Sequence, residues 1–270
     1  MERPSVPQAV VTDLDGTIVR RDGSVSPATL AAAAELRERG VPLVAVTART
    51  PAGVRALGQL QPHLTLAVCC TGAMGWSPGT GEVLWQDNLA GAAVRTIIGL
   101  VREHLPEAGA SGYDGRSWAL TGGYVAARGK APNGPYEVVP AAEIAERPAC
   151  ALAVCDPGRH AQDVAGLLVS AGVTAEHATL SYANPRIVDI APPRTDKFTG
   201  ASRALGLLGI EPASTIAFGD MPNDVPLFRL GGQAVAVGNA HPELLAAATA
   251  VTASVDDDGF ARHLTRLGVI

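Results

Sequence analysis

The chain has 270 residues, of which 47% are hydrophobic and 17% charged, and its net charge is −5. A chain of this length buries about three-quarters of its unfolded surface, so a core forms without disulfides or a structural metal. The 21 basic residues are scattered, and the one basic pair, Arg20-Arg21, has no aromatic residues interleaved with it; this excludes the electrostatic footprint of a nucleic-acid binder.

Taken in chain order, Ala9 to Leu14 is a short apolar run ended by Gly16, which predicts a buried strand. Ser26-Pro27 is an N-cap followed by a first-turn proline, and a helix from Pro27 to Arg39 can stop at Gly40. Val41 to Thr47 reads as a second strand. Thr50-Pro51 opens a second helix, and Leu64 to Cys70 makes a third strand. Strand and helix alternating at this spacing predict an α/β fold with a doubly wound parallel sheet.

From Gly75 to Arg194 the pattern changes. Gly and Pro are frequent, elements are shorter, and Trp76, Trp85, Tyr113, Trp118, Tyr124 and Tyr136 all fall there. This segment reads as an inserted α+β module. The first pattern then returns, with a helix from Phe198 to Leu208, a strand from Thr215 to Phe218, a helix near Val225 to Leu230, a strand from Ala234 to Val237 and a helix from Pro242 to Ala248. The expected division is therefore a discontinuous core of residues 1–74 and 195–270 around an insert of residues 75–194. Cys69, Cys70, Cys150 and Cys155 contain no Cys-x-x-Cys spacing and are expected to be buried thiols. No leader pattern is present, and no apolar run approaches the ~20 residues that cross a bilayer. The chain is expected to be cytoplasmic, with no membrane partner.

Four motifs follow the predicted core strands, at the edge where open α/β sheets bind ligands. They are Asp13-Leu14-Asp15-Gly16-Thr17, Thr47-Ala48-Arg49, Lys197, and Gly219-Asp220-Met221-Pro222-Asn223-Asp224. If the strands are neighbours, Asp13, Asp15, Asp220 and Asp224 share one pocket. Two like charges 4 Å apart repel by about 4 kcal/mol at an effective dielectric near 20. A hard divalent cation relieves this, and Mg²⁺, with its preference for carboxylates, waters and phosphate oxygens, fits. Lys197 adds a positive charge suited to a dianion, Thr47 offers a hydroxyl, and amides after a strand can cradle phosphate oxygens. Of Asp13 and Asp15, one can attack phosphorus covalently while the other protonates the leaving oxygen and then activates water. Gly16 permits the sharp turn that brings both to the pocket.

These motifs, in this order, resemble the haloacid dehalogenase superfamily, and specifically its large-cap Cof-type phosphatases. The resemblance extends over the whole chain, including Val237-Gly238-Asn239-Ala240 and Asp258-Gly259. It implies that Asp13 is the nucleophile and Asp15 the general acid/base. It implies Mg²⁺ held by the Asp13 carboxylate, the Asp15 main-chain carbonyl and Asp220, with Asp224 supporting the metal's water shell. It further implies phosphate contacts from the Leu14 amide, Thr47, the Ala48 amide, Lys197 and Asn223. Ala48 stands where the family usually has Gly, and Thr71 where it usually has Asn. The implied activity is hydrolysis of a small phosphorylated metabolite, with sugar phosphates the leading class. A phosphosugar mutase and a non-catalytic sugar-phosphate-binding regulator remain alternatives at this point. His241 is expected to start a helix, Arg49 to approach substrate or brace the motif loops, and Asn239 to orient a neighbouring acid or lysine, or to shape a turn. The sequence does not specify the oligomeric state.

Overall fold

The structure is a computed structural model that describes residues 7–270; residues 1–6, assigned above to the core, lie outside the described residues. The first strands are β1 (Ala9–Thr12), β2 (Leu43–Val46) and β3 (Leu66–Cys69), each buried along its whole length. Helices α1 (Pro27–Glu38) and α2 (Pro51–Arg55) follow β1 and β2. Ser26 and Thr50 cap them by accepting from the Thr29 and Gly53 amides. Beyond β3 come β4 (Met74–Trp76) and β5 (Val83–Gln86).

A second set of elements then follows: α3 (Gly91–His104), β6 (Gly109–Tyr113), β7 (Trp118–Leu120), α4 (Gly122–Arg128), β8 (Tyr136–Val138), α5 (Ala141–Ile144), β9 (Ala151–Cys155), α6 (Ala161–Ser170), β10 (Thr179–Asn184) and β11 (Ile187–Ala191). The chain returns through α7 (Lys197–Leu207), β12 (Thr215–Gly219), a 3₁₀ segment at Pro222–Leu230, β13 (Gln233–Ala236), α8 (Pro242–Ala247), β14 (Ala250–Val251) and α9 (Gly259–Arg266).

The larger sheet has the order β14-β13-β12-β1-β2-β3-β4-β5, parallel except where β4 pairs with β3 and with β5. Alternate residues supply its two faces. Val10, Leu43, Ala45 and Phe218 pack with α1 and α9 through Leu36, Phe260 and Leu264. Val11, Val44, Val46 and Ala217 pack with α7 and the 3₁₀ segment through Ala201, Leu205 and Leu227. Cover on both faces is what makes these strands near-continuous apolar runs. The smaller sheet, β10-β11-β9-β6-β7-β8, has its own core, in which Val94, Ile97 and Ile98 of α3 and Val164 and Leu168 of α6 meet Leu152 and Val188.

The fold class is the expected mixed α/β architecture. The boundary differs from the expected residue 75, because β4 and β5 extend the larger sheet to Gln86. Gly75 faces the Trp85 ring so closely that a side chain there would strike it, and the Trp85 indole donates to the Gly72 carbonyl at 3.3 Å. The Gly-rich, aromatic composition of 75–86 therefore reflects a tight antiparallel hairpin rather than the start of the insert. The predicted helix near 225–230 is instead 3₁₀, and Pro226 inside it lacks the N–H that an α-helical ladder would use.

Candidate active site

Strands β1 and β12 lie side by side, and their C-terminal ends bring the first and fourth motifs together. The Asp13 amide continues the pairing by donating to the Phe218 carbonyl at 3.0 Å. Asp13, Asp220 and Asp224 are all buried, and each offers a carboxylate oxygen within 4.8 Å of the other two. Lys197, only 1% exposed at the start of α7, donates to Asp13 Oδ1 at 2.5 Å and to Asp224 Oδ1 at 2.6 Å. The other oxygen of Asp224 accepts from the Asp220 and Met221 amides, each at 3.0 Å, so Asp224 both anchors the lysine and shapes its own loop.

One ammonium faces three buried carboxylates. Burial, together with the charges of Asp224 and Asp15, pushes Asp13 up to about 7 despite Lys197. Burial, with the charges of Asp13 and Asp224, pushes Asp220 up to about 8. Burial alone would lower Lys197, but Asp13 and Asp224 more than offset it and its pKa stands above the usual lysine value. A cluster with this excess of buried negative charge and hard oxygen donors fits a divalent cation of the Mg²⁺ type.

The remaining predicted residues lie around this centre. Gly16 has φ +85°, and a side chain there would run into the Asp220 carboxylate, so both backbone and space demand glycine. The Leu14 side chain is buried in the core, and its carbonyl accepts from Ile18 and Val19 in the turn. Thr47 is buried at the end of β2, where its hydroxyl accepts from the Arg49 amide at 3.1 Å. Asn223 is buried, and neither polar atom of its side chain has a hydrogen-bond partner among the described residues. Such a group requires an external partner, since an unmet buried amide costs about 1–3 kcal/mol. Ala48 lines the cleft beside the centre.

Asp15 is the exception. Its carboxylate lies outside the cluster, 53% exposed, and forms a bidentate pair with Arg49 at 2.7 and 2.6 Å. Arg49 also donates to the Gly53 carbonyl at 2.8 Å, so it braces the motif loops. Two connections were not anticipated. The Thr17 hydroxyl lies 3.0 Å from Asp220 Oδ1 and 3.4 Å from Asp13 Oδ2, bridging the first and fourth motifs. Asn239 instead bonds backbone: its amide donates to the Gly16 carbonyl at 2.8 Å and its oxygen accepts from the Val255 amide at 2.8 Å. His241 caps α8 by accepting from the Glu243 amide, as expected.

A family model of haloacid dehalogenase-like hydrolases matches residues 10–264. The chain belongs to that family. A Haemophilus influenzae relative named "Putative phosphatase" is 23% identical over 94% of this chain and 95% of its own length. A Streptococcus pyogenes relative, "Putative bifunctional phosphatase/peptidyl-prolyl cis-trans isomerase", is 35% identical over 36% of this chain; the match spans only 20% of that longer protein. Among solved structures, a subclass IIB sugar phosphatase of the superfamily superposes with a TM-score of 0.83 at 19% identity, covering 97% of this chain and all of the other. A phosphatase of the superfamily from Bacteroides thetaiotaomicron gives 0.82 at 21% identity over 100% and 98% of the two chains. These superpositions establish the fold. Within this hydrolase family frame, the residues that line the cleft from the smaller sheet, among them Trp118, Arg128 and Arg186, carried no signal in the sequence, because they come from separate elements with no shared spacing. Among the described residues, no helix is long and apolar enough to cross a membrane.

Proposed function

We propose that the protein is a Mg²⁺-dependent phosphatase that hydrolyses a small phosphorylated metabolite, of the sugar-phosphate class, through an aspartyl-phosphate on Asp13. The observation that carries this is the buried Asp13–Asp220–Asp224 cluster, with Lys197 bonded to Asp13. Phosphatase names among the relatives support the reading.

The Asp13 carboxylate, the Asp15 carbonyl and Asp220, with Asp224 behind them, would hold Mg²⁺, which when bound would supply the positive charge that an anionic phosphoryl group needs in a carboxylate-lined pocket. Lys197, Thr47, Asn223 and the Leu14 and Ala48 amides bind the phosphoryl oxygens. A carboxylate oxygen of Asp13 then forms a bond to phosphorus as the ester P–O bond breaks. The leaving oxygen takes a proton from the Asp15 carboxyl group. In the second half, Asp15 takes a proton from water, whose oxygen bonds to phosphorus and releases the Asp13 carboxylate and inorganic phosphate. The Asp15 carboxylate is turned toward Arg49 in a bidentate pair, so it meets the leaving oxygen only after leaving that guanidinium. The unit built on the smaller sheet is the cap, joined to the core between Gln86 and Gly91 and between Ala191 and Lys197.

The test is kinetic. With Mg²⁺ the protein should hydrolyse nitrophenyl phosphate, and EDTA should abolish turnover. Asp15→Asn should impair sugar alkoxide leaving groups, which need a proton, far more than nitrophenolate. Equal loss on both substrates would remove the general-acid role, and full activity in EDTA would falsify the metal assignment.

A further inference from the structure

Between the two sheets lies a cleft of about 470 Å³, lined on the core side by Asp15 and Arg49 and on the other by Arg128, Lys130, Arg186 and Asp189. That volume suits a small metabolite rather than a macromolecule. Its charged lining consists of four cations and two carboxylates, in a chain whose net charge is −5. Arg49 is already engaged by Asp15, so the positive excess lies on the cap wall.

Resting on the phosphatase reading, we infer that the substrate carries a second anionic group, a carboxylate or another phosphate, and that Arg128, with Lys130 and Arg186, receives it at the cap wall. The first support is the sign of that wall. Low-dielectric clefts lined by one charge concentrate ions of the other, and a phosphoryl group alone does not require it, because Lys197 and the metal serve that end. The second is Arg128 itself. Its Nη1 is shielded from solvent and has no hydrogen-bond partner among the described residues. Arg128 ends α4, and its position before the left-handed Gly129 is accounted for by helix capping alone. Capping leaves the shielded N–H groups unexplained, since guanidinium nitrogens are donors only and match carboxylate or phosphate oxygens. The third is the neighbouring Trp118 indole N–H, which is likewise shielded and unpartnered and can only donate. Arg186, exposed at the same wall, spends one nitrogen on the Pro157 carbonyl at 3.3 Å and also bonds the Cys155 thiol.

The test compares four substrates with Mg²⁺: nitrophenyl phosphate, glucose 6-phosphate, 2-phosphoglycolate with its carboxylate, and fructose 1,6-bisphosphate with its second phosphate. Wild-type protein should prefer one of the last two. In Arg128→Gln and Arg186→Gln, kcat/KM for that substrate relative to glucose 6-phosphate should fall by about tenfold or more, mainly through KM, the loss expected for one charge-assisted hydrogen bond. The arm that loses more identifies the group as carboxylate or phosphate. Should Arg128→Gln fail to fold, the exposed Arg186→Gln decides. If no substrate is turned over, the phosphatase reading fails, and calorimetric binding of 2-phosphoglycolate and fructose 1,6-bisphosphate decides the subsite: binding weakened about tenfold in the variants sustains it. Preference for glucose 6-phosphate with an unchanged ratio, or binding that is absent or equal in all three proteins, overturns it.

Discussion

Lys197 is buried between Asp13 and Asp224, and its removal would leave two carboxylates facing each other without a cation. Breaking a buried ion pair by deleting one partner costs about 3–5 kcal/mol. Lys197→Met is therefore expected to lower the melting temperature by about 10 °C or more in metal-free buffer; a variant that melts with the wild type would show that the cluster stabilises nothing. Asp13 behaves differently. On the proposed mechanism, Asp13→Asn keeps the shape of the site and removes the attacking carboxylate, so turnover should fall by about three orders of magnitude or more. No phosphoenzyme should then be trapped by acid quench from labelled substrate. A variant that still gave acid-stable label would place the nucleophile elsewhere.

At the scale of elements, α9 docks on the larger sheet through a buried histidine. His263 packs edge-on against Phe218, and its ring nitrogens meet Gln233 Oε1 at 3.1 Å and an Arg266 guanidinium nitrogen at 2.9 Å. Because the arginine can only donate, the ring accepts there and carries its proton toward Gln233. Burial, then the Arg266 charge, pushes His263 down to about 4 from 6.5. Between these values the unfolded chain binds the extra proton, so stability rises with pH. The contribution is complete above pH 6.5 and is lost as pH falls toward 4, to a limit of about 3 kcal/mol. A profile of melting temperature against pH should show this acid loss, and His263→Met should flatten it.

The elements also show what was legible beforehand. The core strands could be read because β1, β2, β3 and β12 are buried on both faces and so appear as apolar runs. Their order in the chain then placed Asp13, Lys197, Asp220 and Asp224 together. The hairpin of β4 and β5 was misread, because its composition follows from Gly75 packing under Trp85, a contact between residues that no spacing rule relates. The partners of Thr17 and Asn239 escaped for a similar reason. Thr17, within the first motif, meets Asp220, and Asn239 meets Gly16, each across more than 200 positions of sequence, and only the strand order brings them together.

At the scale of the whole molecule, the Asp13–Asp220–Asp224 cluster draws on strands that lie more than 200 residues apart in the chain. A cation bound there ties β1 to β12 and should stabilise the native state alone. At a hundredfold excess over its dissociation constant the gain is about 2.7 kcal/mol. Mg²⁺ should therefore raise the melting temperature of the wild type and leave that of Asp220→Asn nearly unchanged, measured without substrate. An equal rise in both proteins would assign the effect to general salt stabilisation.

The pairing of β1 with β12 also fixes when the site can come into being. Thr17 must wait for Asp220, 203 residues later, and Asp13 for Lys197, 184 residues later. A ribosome adding about 5–20 residues per second needs about 10–40 s to span the longer interval. Throughout that time β1 has no β12 beside it, and the nascent polypeptide carries Asp13 without the ligands, lysine or loop that would arm it. Synthesis itself thus acts as a timer: a chain released early, or stalled before β12 emerges, lacks the assembled cluster on which the proposed function depends.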